Sequence, residues 1–267
     1  MSSPVAALPM YDPPELAQAN DALWDAISQR LRARGVEAPS RLTRDRPLED
    51  VWLDPNLLVA QACGYPLVTR LAGRVRLVAT PSYQAEGCFG PFHRSAIIVR
   101  RDDHATGLAD LFDRQCVINS ADSNTGMNLL RAAVAPFAQQ GRFFGAISVS
   151  GAHTASAEAV AAGEADVAAI DAVVWDQLRR FKPRLTKTLR VLTWTAASPG
   201  LPLISARTTS WATLRTLRKA LFDVASDPML GDVRTALRLT GFCLLPRSRY
   251  HAISQSEQRS KPAGDQV

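Results

Sequence analysis

The sequence predicts an α/β protein with a mostly parallel sheet covered by helices on both faces. Between residues 117 and 181 short apolar runs alternate strictly with helical segments, the order expected when each parallel strand needs a crossover before the next. Composition agrees: 46% of the residues are apolar and 21% charged, which is ordinary globular usage and excludes collagen, coiled coil and wholesale disorder. The 267 residues correspond to one large domain or two modest ones at roughly 150 residues each. A chain of this size loses roughly 75% of its unfolded surface on folding, so it needs neither metal nor disulfide as a staple.

Taken in order, Val5 to Met10 reads as a short strand that runs through Tyr11 and Asp12 into a helix start at a proline pair. Leu16, Ala19, Leu23, Ile27 and Leu31 then recur at helical spacing, with arginines in the last turns and Gly35 beyond. Asp54 and Pro55 open an expected helix over Asn56 to Ala62, and Arg74 to Thr80 alternates into a strand. Tyr83 to His93 is a glycine- and aromatic-rich loop before the β-branched strand Ser95 to Arg100. Strands are expected at Val117 to Asn119, Gly145 to Val149 and Val167 to Ile170. Helices follow them at Asn124 to Gln140, Thr154 to Ala162 and Ala172 to Phe181. A strand over Leu189 to Thr195 leads to a turn at Ser198, Pro199 and Gly200. Ser210 to Leu239 is helical with a break at Asp227 and Pro228, and Phe242 to Leu245 closes the fold as a strand. Residues 254–267 are polar and expected as a disordered tail.

The 31 Lys and Arg exceed the 25 Asp and Glu by six, a surplus that favours anionic ligands without naming one. No run of eighteen apolar residues exists, so no direct membrane insertion is expected. The first residues lack a basic region, and as written the chain is expected to be cytoplasmic, a removed leader remaining open. Cys63, Cys88, Cys116 and Cys243 fit no CxxC or zinc spacing, and neither metal nor cofactor is expected.

Open α/β sheets bind ligands beyond the carboxyl ends of their strands, so the strand-to-helix junctions carry the chemistry. The first contains Asn119, Ser120, Asp122, Ser123, Asn124, Thr125 and Gly126. Its hydroxyls, a glycine that lets backbone approach, and helix-start amides make a cradle for a phosphate-like group; the alternative is simple capping by Ser123. The second junction repeats the design with Ser148, Ser150, Gly151, His153, Thr154 and Ser156. His153 in the first turn can donate to an anion, although the positive dipole end disfavours its charged form. At the third, Asp171 either accepts from a ligand hydroxyl or amine or caps its helix.

In order along the chain stand Cys63-Gly-Tyr-Pro-Leu67, Gly87-Cys88-Phe-Gly90 with Arg94-Ser95, and the segment from Asn119 to Asn128 with Ser123, Thr125 and Gly126. They are followed by Ser150-Gly-x-His153-x-x-Ser156, Ala169-Ile-Asp171 and Pro199-Gly-Leu-Pro202. These six collinear elements, between Tyr11 and about Tyr250, resemble the phosphate/phosphite/phosphonate solute-binding proteins of ABC transporters. The resemblance implies a type II periplasmic-binding-protein fold: two lobes, each a mixed, mostly parallel sheet flanked by helices, with the ligand in the cleft between them. Lobe one would be residues 1–96 and 196–253, lobe two 97–195, with crossovers near Ser95 to Arg100 and Thr193 to Ser198. It implies ligand contacts at Ser123, Asn124, Thr125, His153 and Asp171, and from lobe one at Tyr11, Tyr65, Tyr83 and His93; Ser120 and Thr154 of the junctions are candidates beside them. His93 replaces a tyrosine frequent in relatives, and Thr125 a serine; both leave the exact ligand open. A disulfide between Cys63 and Cys88 is open in an oxidising compartment, buried thiols in a reducing one.

The expected function is therefore non-catalytic binding of a small oxyanion, with an ABC permease as partner. One alternative is a ligand-sensing module of the same fold. Another is an enzyme using Cys88 or Cys63 as nucleophile with His93 or His153 as base, which lacks an orienting group placed by spacing. Nucleic-acid binding is not expected, because the basic residues at 214–219 and 234–249 are spread among helical apolar positions.

Overall fold

The computed structural model describes residues 3–260, with side chains to residue 255. Its strands are β1 (Val5–Ala7), β2 (Leu57–Gln61), β3 (Val75–Tyr83), β4 (Cys88–Phe89), β5 (Phe92–His93), β6 (Ser95–Arg100) and β7 (Gln115–Ile118). They continue with β8 (Ala146–Val149), β9 (Val167–Asp171), β10 (Leu189–Trp194), β11 (Ser198–Pro199), β12 (Leu203–Ala206) and β13 (Leu239–Cys243). The α-helices are α1 (Ala17–Arg32), α2 (Leu48–Trp52), α3 (Gly64–Val68), α4 (Leu129–Val134) and α5 (His153–Ala162). After them come α6 (Ala172–Phe181), α7 (Pro183–Lys187), α8 (Trp211–Ser226), α9 (Gly231–Leu237) and α10 (Arg247–Ser260). Among the described residues no helix is long and apolar enough to cross a membrane.

The chain forms two compact units. The first holds the residues up to Gln84, Phe89–Pro91 and Pro199–Arg249; the second holds Ala85–Cys88, Phe92–Ser198 and the chain from Tyr250. In the first unit the strand order is β1-β2-β12-β3-β13. Only the β1–β2 pair is parallel, and the β2–β12, β12–β3 and β3–β13 pairs are antiparallel, so this sheet is mixed rather than mostly parallel. α1 buries Leu23, Trp24, Ile27 and Leu31 and packs against α8 and α9, as its 3.6-residue spacing requires.

Residues 57–61, expected as a helix, are the strand β2. Asp54 Oδ1 accepts from Asn56 N at 2.8 Å, a local turn that starts the chain afresh, and all five strand residues are buried. A segment enclosed on every side shows no helical face, so periodicity cannot distinguish it from a strand. β12, whose four residues are likewise all buried, escaped the sequence reading for the same reason.

The second unit has the order β10-β6-β9-β7-β8. β7 pairs parallel with both β8 and β9, while β6 pairs antiparallel with β9 and β10. Successive residues of one strand face opposite sides. Ile97, Val99, Cys116, Ile118 and Val167 join a core that includes Leu130 and Val134 of α4, whereas Ala96, Ile98, Val117, Ala168 and Ile170 meet Ala157 and Val160 of α5 and Trp175 and Leu178 of α6. Continuous apolar strands here mean burial on both faces. β6 and β10 both belong to this sheet; the chain changes unit within 84–92, ahead of the crossover expected near 95–100, and at 198–199, at the end of the one expected near 193–198.

The helix expected over 124–140 is shorter. It opens as a π-helical turn, Asn124–Asn128, continues as α4 and closes in a 3₁₀ turn at Ala135–Phe137, where Pro136 withholds an N–H. Residues 254–260, expected as tail, continue α10, whose Tyr250 and Ile253 are buried; Asn128 Nδ2 donates to the Ile253 carbonyl at 3.2 Å. The remainder of that expected tail, 261–267, lies outside the described residues.

Candidate functional site

In the second unit the parallel strands β7, β8 and β9 all end on one edge of the sheet, and β6, running the other way, starts there with Ser95 opposite Asp171. The three junctions singled out in the sequence therefore open onto the same edge.

At the first junction Ser123 caps the π-turn, its Oγ accepting from Gly126 N at 2.9 Å. Thr125 sits at the centre. Its carbonyl accepts from Ser95 Oγ at 2.8 Å, and its Oγ1 lies 3.1 Å from His153 Nε2. Asn124 Nδ2 donates to Ser198 Oγ at 2.9 Å, and its Oδ1 accepts from Asn128 at 3.2 Å, so its amide serves the unit's interior. Ser120 donates its hydroxyl to Asp122. Asn119 Oδ1 is sealed from solvent with no hydrogen-bond partner and packs on Gly126: a Cβ built there would stand 1.8 Å from that oxygen and 3.0 Å from His153 Cε1. The glycine is thus required by close approach and not by its backbone angles.

The second junction is left uncapped. α5 begins at His153 after Ala152, with no side chain accepting from its first turn. Ser150 is turned inward, to Ser156 Oγ at 2.7 Å and to the Ala152 carbonyl at 3.0 Å. The first-turn amides of a ten-residue helix, those of His153 and Thr154 among them, keep their donor capacity and the positive dipole end. Burial pushes the His153 imidazole below its ordinary value, opposed by the negative Asp171, leaving a neutral ring at the helix start.

Asp171, buried at the end of β9, caps α6: Oδ1 accepts from Val173 N at 2.9 Å and from Val174 N at 3.4 Å. Its Oδ2 stands 3.3 Å from His93 Nδ1. His93, expected in the first lobe, belongs to the second unit and is buried beside Asp171, because the chain has already crossed at Phe92.

The first unit assembles two of the three tyrosines. β1, β2 and β3 run in one direction, since both β2 and β3 pair antiparallel with β12. At their carboxyl ends Tyr11 and Tyr83 meet edge to face, with ring centroids 5.2 Å apart, and Gln61 Nε2 donates to Tyr83 Oη at 3.2 Å. Tyr65 is half-buried on α3, the helix after β2. Gln61 was missed as a site residue, and Ser95 and Asn119, though quoted in the motifs, were not placed in the ligand set; a polar group at the end or start of an apolar strand was the available signal.

Cys63 and Cys88 are not joined in a disulfide. Burial, with Asp171 and Asp176 nearby, pushes the Cys88 thiol up to about 12, the opposite of an activated nucleophile.

The family model described as ABC transporter, phosphonate, periplasmic substrate-binding protein matches residues 5–250. The chain belongs to this family. No curated protein matches it. Among solved structures it is similar to a binding protein component of an ABC phosphonate transporter from Pseudomonas aeruginosa, at 17% identity and a TM-score of 0.74 over 97% of this chain and 88% of that one. It is also similar to PhnD1 from Prochlorococcus marinus in complex with methylphosphonate, at 14% identity and 0.73 over 96% and 97%. XAC2383 from Xanthomonas citri, bound to chloride, matches at 20% identity and 0.73 over 97% and 99%. These likenesses establish the two-lobe periplasmic-binding-protein fold for this family member.

Proposed function

We propose that the protein binds a small oxyanion of the phosphonate, phosphate or phosphite type, without turning it over, as the substrate-binding component of an ABC transporter. The observation that carries this reading is the 3.1 Å contact between Thr125 Oγ1 and His153 Nε2. It holds a hydroxyl-rich turn against the start of a helix that no side chain caps. An anion placed there takes the free first-turn amides, which suit negative charge, together with the hydroxyls of Ser123 and Thr125. His153 serves as a neutral hydrogen-bonding ring. Burial dominates its electrostatics, with Asp171 favouring and His93 opposing its charged form. Asn124 and Ser120, whose polar groups serve intramolecular bonds, shape the turn. Tyr11, Tyr65 and Tyr83 of the first unit are assigned to the organic part of the ligand.

The ligand class is supported by family membership and by methylphosphonate in the Prochlorococcus protein. Absence of turnover is supported by the solute-binding character of the family and by the protonated Cys88 thiol. The test is a thermal-shift series with methylphosphonate, phosphate, phosphite and sulfate, since a ligand that binds only the folded state raises its melting temperature. At least one of the three phosphorus oxyanions should raise it and remain chemically unchanged after incubation. No shift with any of them refutes the reading.

A further inference from the structure

The amino ends of β1, β2 and β3 mark the edge of the first unit's sheet opposite the Tyr11, Gln61 and Tyr83 group. On that edge stands Trp211, the first residue of α8, 61% exposed. The Arg76 guanidinium lies over its ring, 4.2 Å from the centroid, and Arg76 Nε donates to the Arg207 carbonyl at 3.0 Å. Arg74 precedes Arg76 by two residues, at the end of the turn that leads into β3. Arg215 follows Trp211 by four and shares its helix face. Arg74, Arg207 and Arg215 are exposed, and among the described residues none of the four arginines forms an ion pair; Asp54, reached through the bond from Thr208 to Pro55, is held by Arg46 at 2.8 Å. One guanidinium over an exposed indole, with three further exposed arginines on neighbouring segments, gives this edge a positive character in a chain of net charge +6.

We propose that this Arg74, Arg76, Arg207, Trp211 and Arg215 face rests on an anionic membrane surface. The inference relies on the transporter reading only in that the protein then works beside a membrane. Tryptophan with cationic side chains is the composition of membrane interfaces. Among the described residues none of the four arginines is held by a carboxylate, which suits a diffuse sheet of headgroup charge better than bidentate docking to fixed carboxylates. The location at the sheet edge away from the tyrosine group leaves the first unit's ligand residues uncovered while the face is occupied.

The test is co-sedimentation of the full chain with vesicles of phosphatidylglycerol and phosphatidylethanolamine, against vesicles of neutral phosphatidylcholine. Wild type should partition onto the anionic vesicles only, with loss at about 0.5 M salt, where screening shrinks to a few ångströms. Each arginine should contribute roughly fivefold to the partition coefficient, so the Arg74→Glu/Arg215→Glu variant should lose at least about 25-fold. An Arg184→Glu/Lys187→Glu variant on α7 of the second unit, with the same change in net charge, should keep most of the binding. Melting temperature and the methylphosphonate shift, measured on the same variants, separate misfolding or a failed ligand assignment from failure of this one. Equal partition of wild type onto both vesicle types overturns the proposal, as does equal loss in both variants. Retention on immobilised polyglutamate without vesicle binding assigns the face to an acidic protein and overturns it too.

Discussion

Replacing Gly126 by alanine drives a methyl group to within 1.8 Å of Asn119 Oδ1, 2.8 Å of its Cγ and 3.0 Å of His153 Cε1. None of these is the loose end of a surface side chain: Asn119 Oδ1 is sealed and His153 is held by Thr125. Overpacking of this kind costs about 1–3 kcal/mol. At about 2–4 °C per kcal/mol for chains of this size, the melting temperature should fall by roughly 2–12 °C. Differential scanning calorimetry reads that directly. Asn119→Ala removes the oxygen that is struck, so the double variant should recover a large part of the loss, a coupling that only contacting residues show. Gly231→Ala, with open space around its Cβ at the first position of α9, should instead stabilise by about 0.4–1 kcal/mol. A Gly126→Ala protein that melts with wild type, or a double variant no better than the single, refutes the packing described for the junction.

Three further outcomes are expected. Asp171→Ala removes the cap of α6 and should cost about 0.5–2 kcal/mol in urea unfolding; a variant as stable as wild type would show the cap to be idle. His153 has its value held below 6.5 by burial, so the unfolded chain takes up a proton before the folded one does. The stability it contributes is complete above about pH 6.5 and declines as the pH drops toward the folded value; His153→Gln should flatten that decline, and an unchanged slope contradicts it. Cys88, pushed up to about 12, holds only about one thiolate in ten thousand near pH 8. Iodoacetamide should therefore leave it largely unlabelled in the native protein over minutes, as mass spectrometry of the peptides will show.

The second unit was largely legible in the sequence because its strands and helices alternate and each junction carries its own signal. α6 was placed to the residue, Ala172–Phe181, with Asp171 before it and arginines in its last turn. In the first unit β2 and β12 were misread because they are short, wholly buried segments, where no solvent-facing side marks the period, and β13 starts at Leu239, three residues before the strand expected at Phe242. At the site, hydroxyls and glycines signalled the cradle. Capping by Ser123 was one of the two readings offered; that Asn124 reaches Ser198 and that Ser120 turns to Asp122 was invisible. Those depend on residues brought close by the sheet, as does the pairing of His93 with Asp171 across 78 positions of sequence. Composition gave the arginine surplus, whereas its gathering around Trp211 needed the register of β3 against β12.

The claim on which the functional reading depends is that the Thr125 turn and the start of α5 hold one anion together. Calorimetric titration of wild type, Thr125→Val and His153→Gln with methylphosphonate at constant pH tests it most directly. Each variant should bind more weakly by about 0.5–1.5 kcal/mol, or up to about 3 if the lost bond reaches a charged oxygen, with folding intact by circular dichroism. Wild-type affinity in both variants would contradict the account.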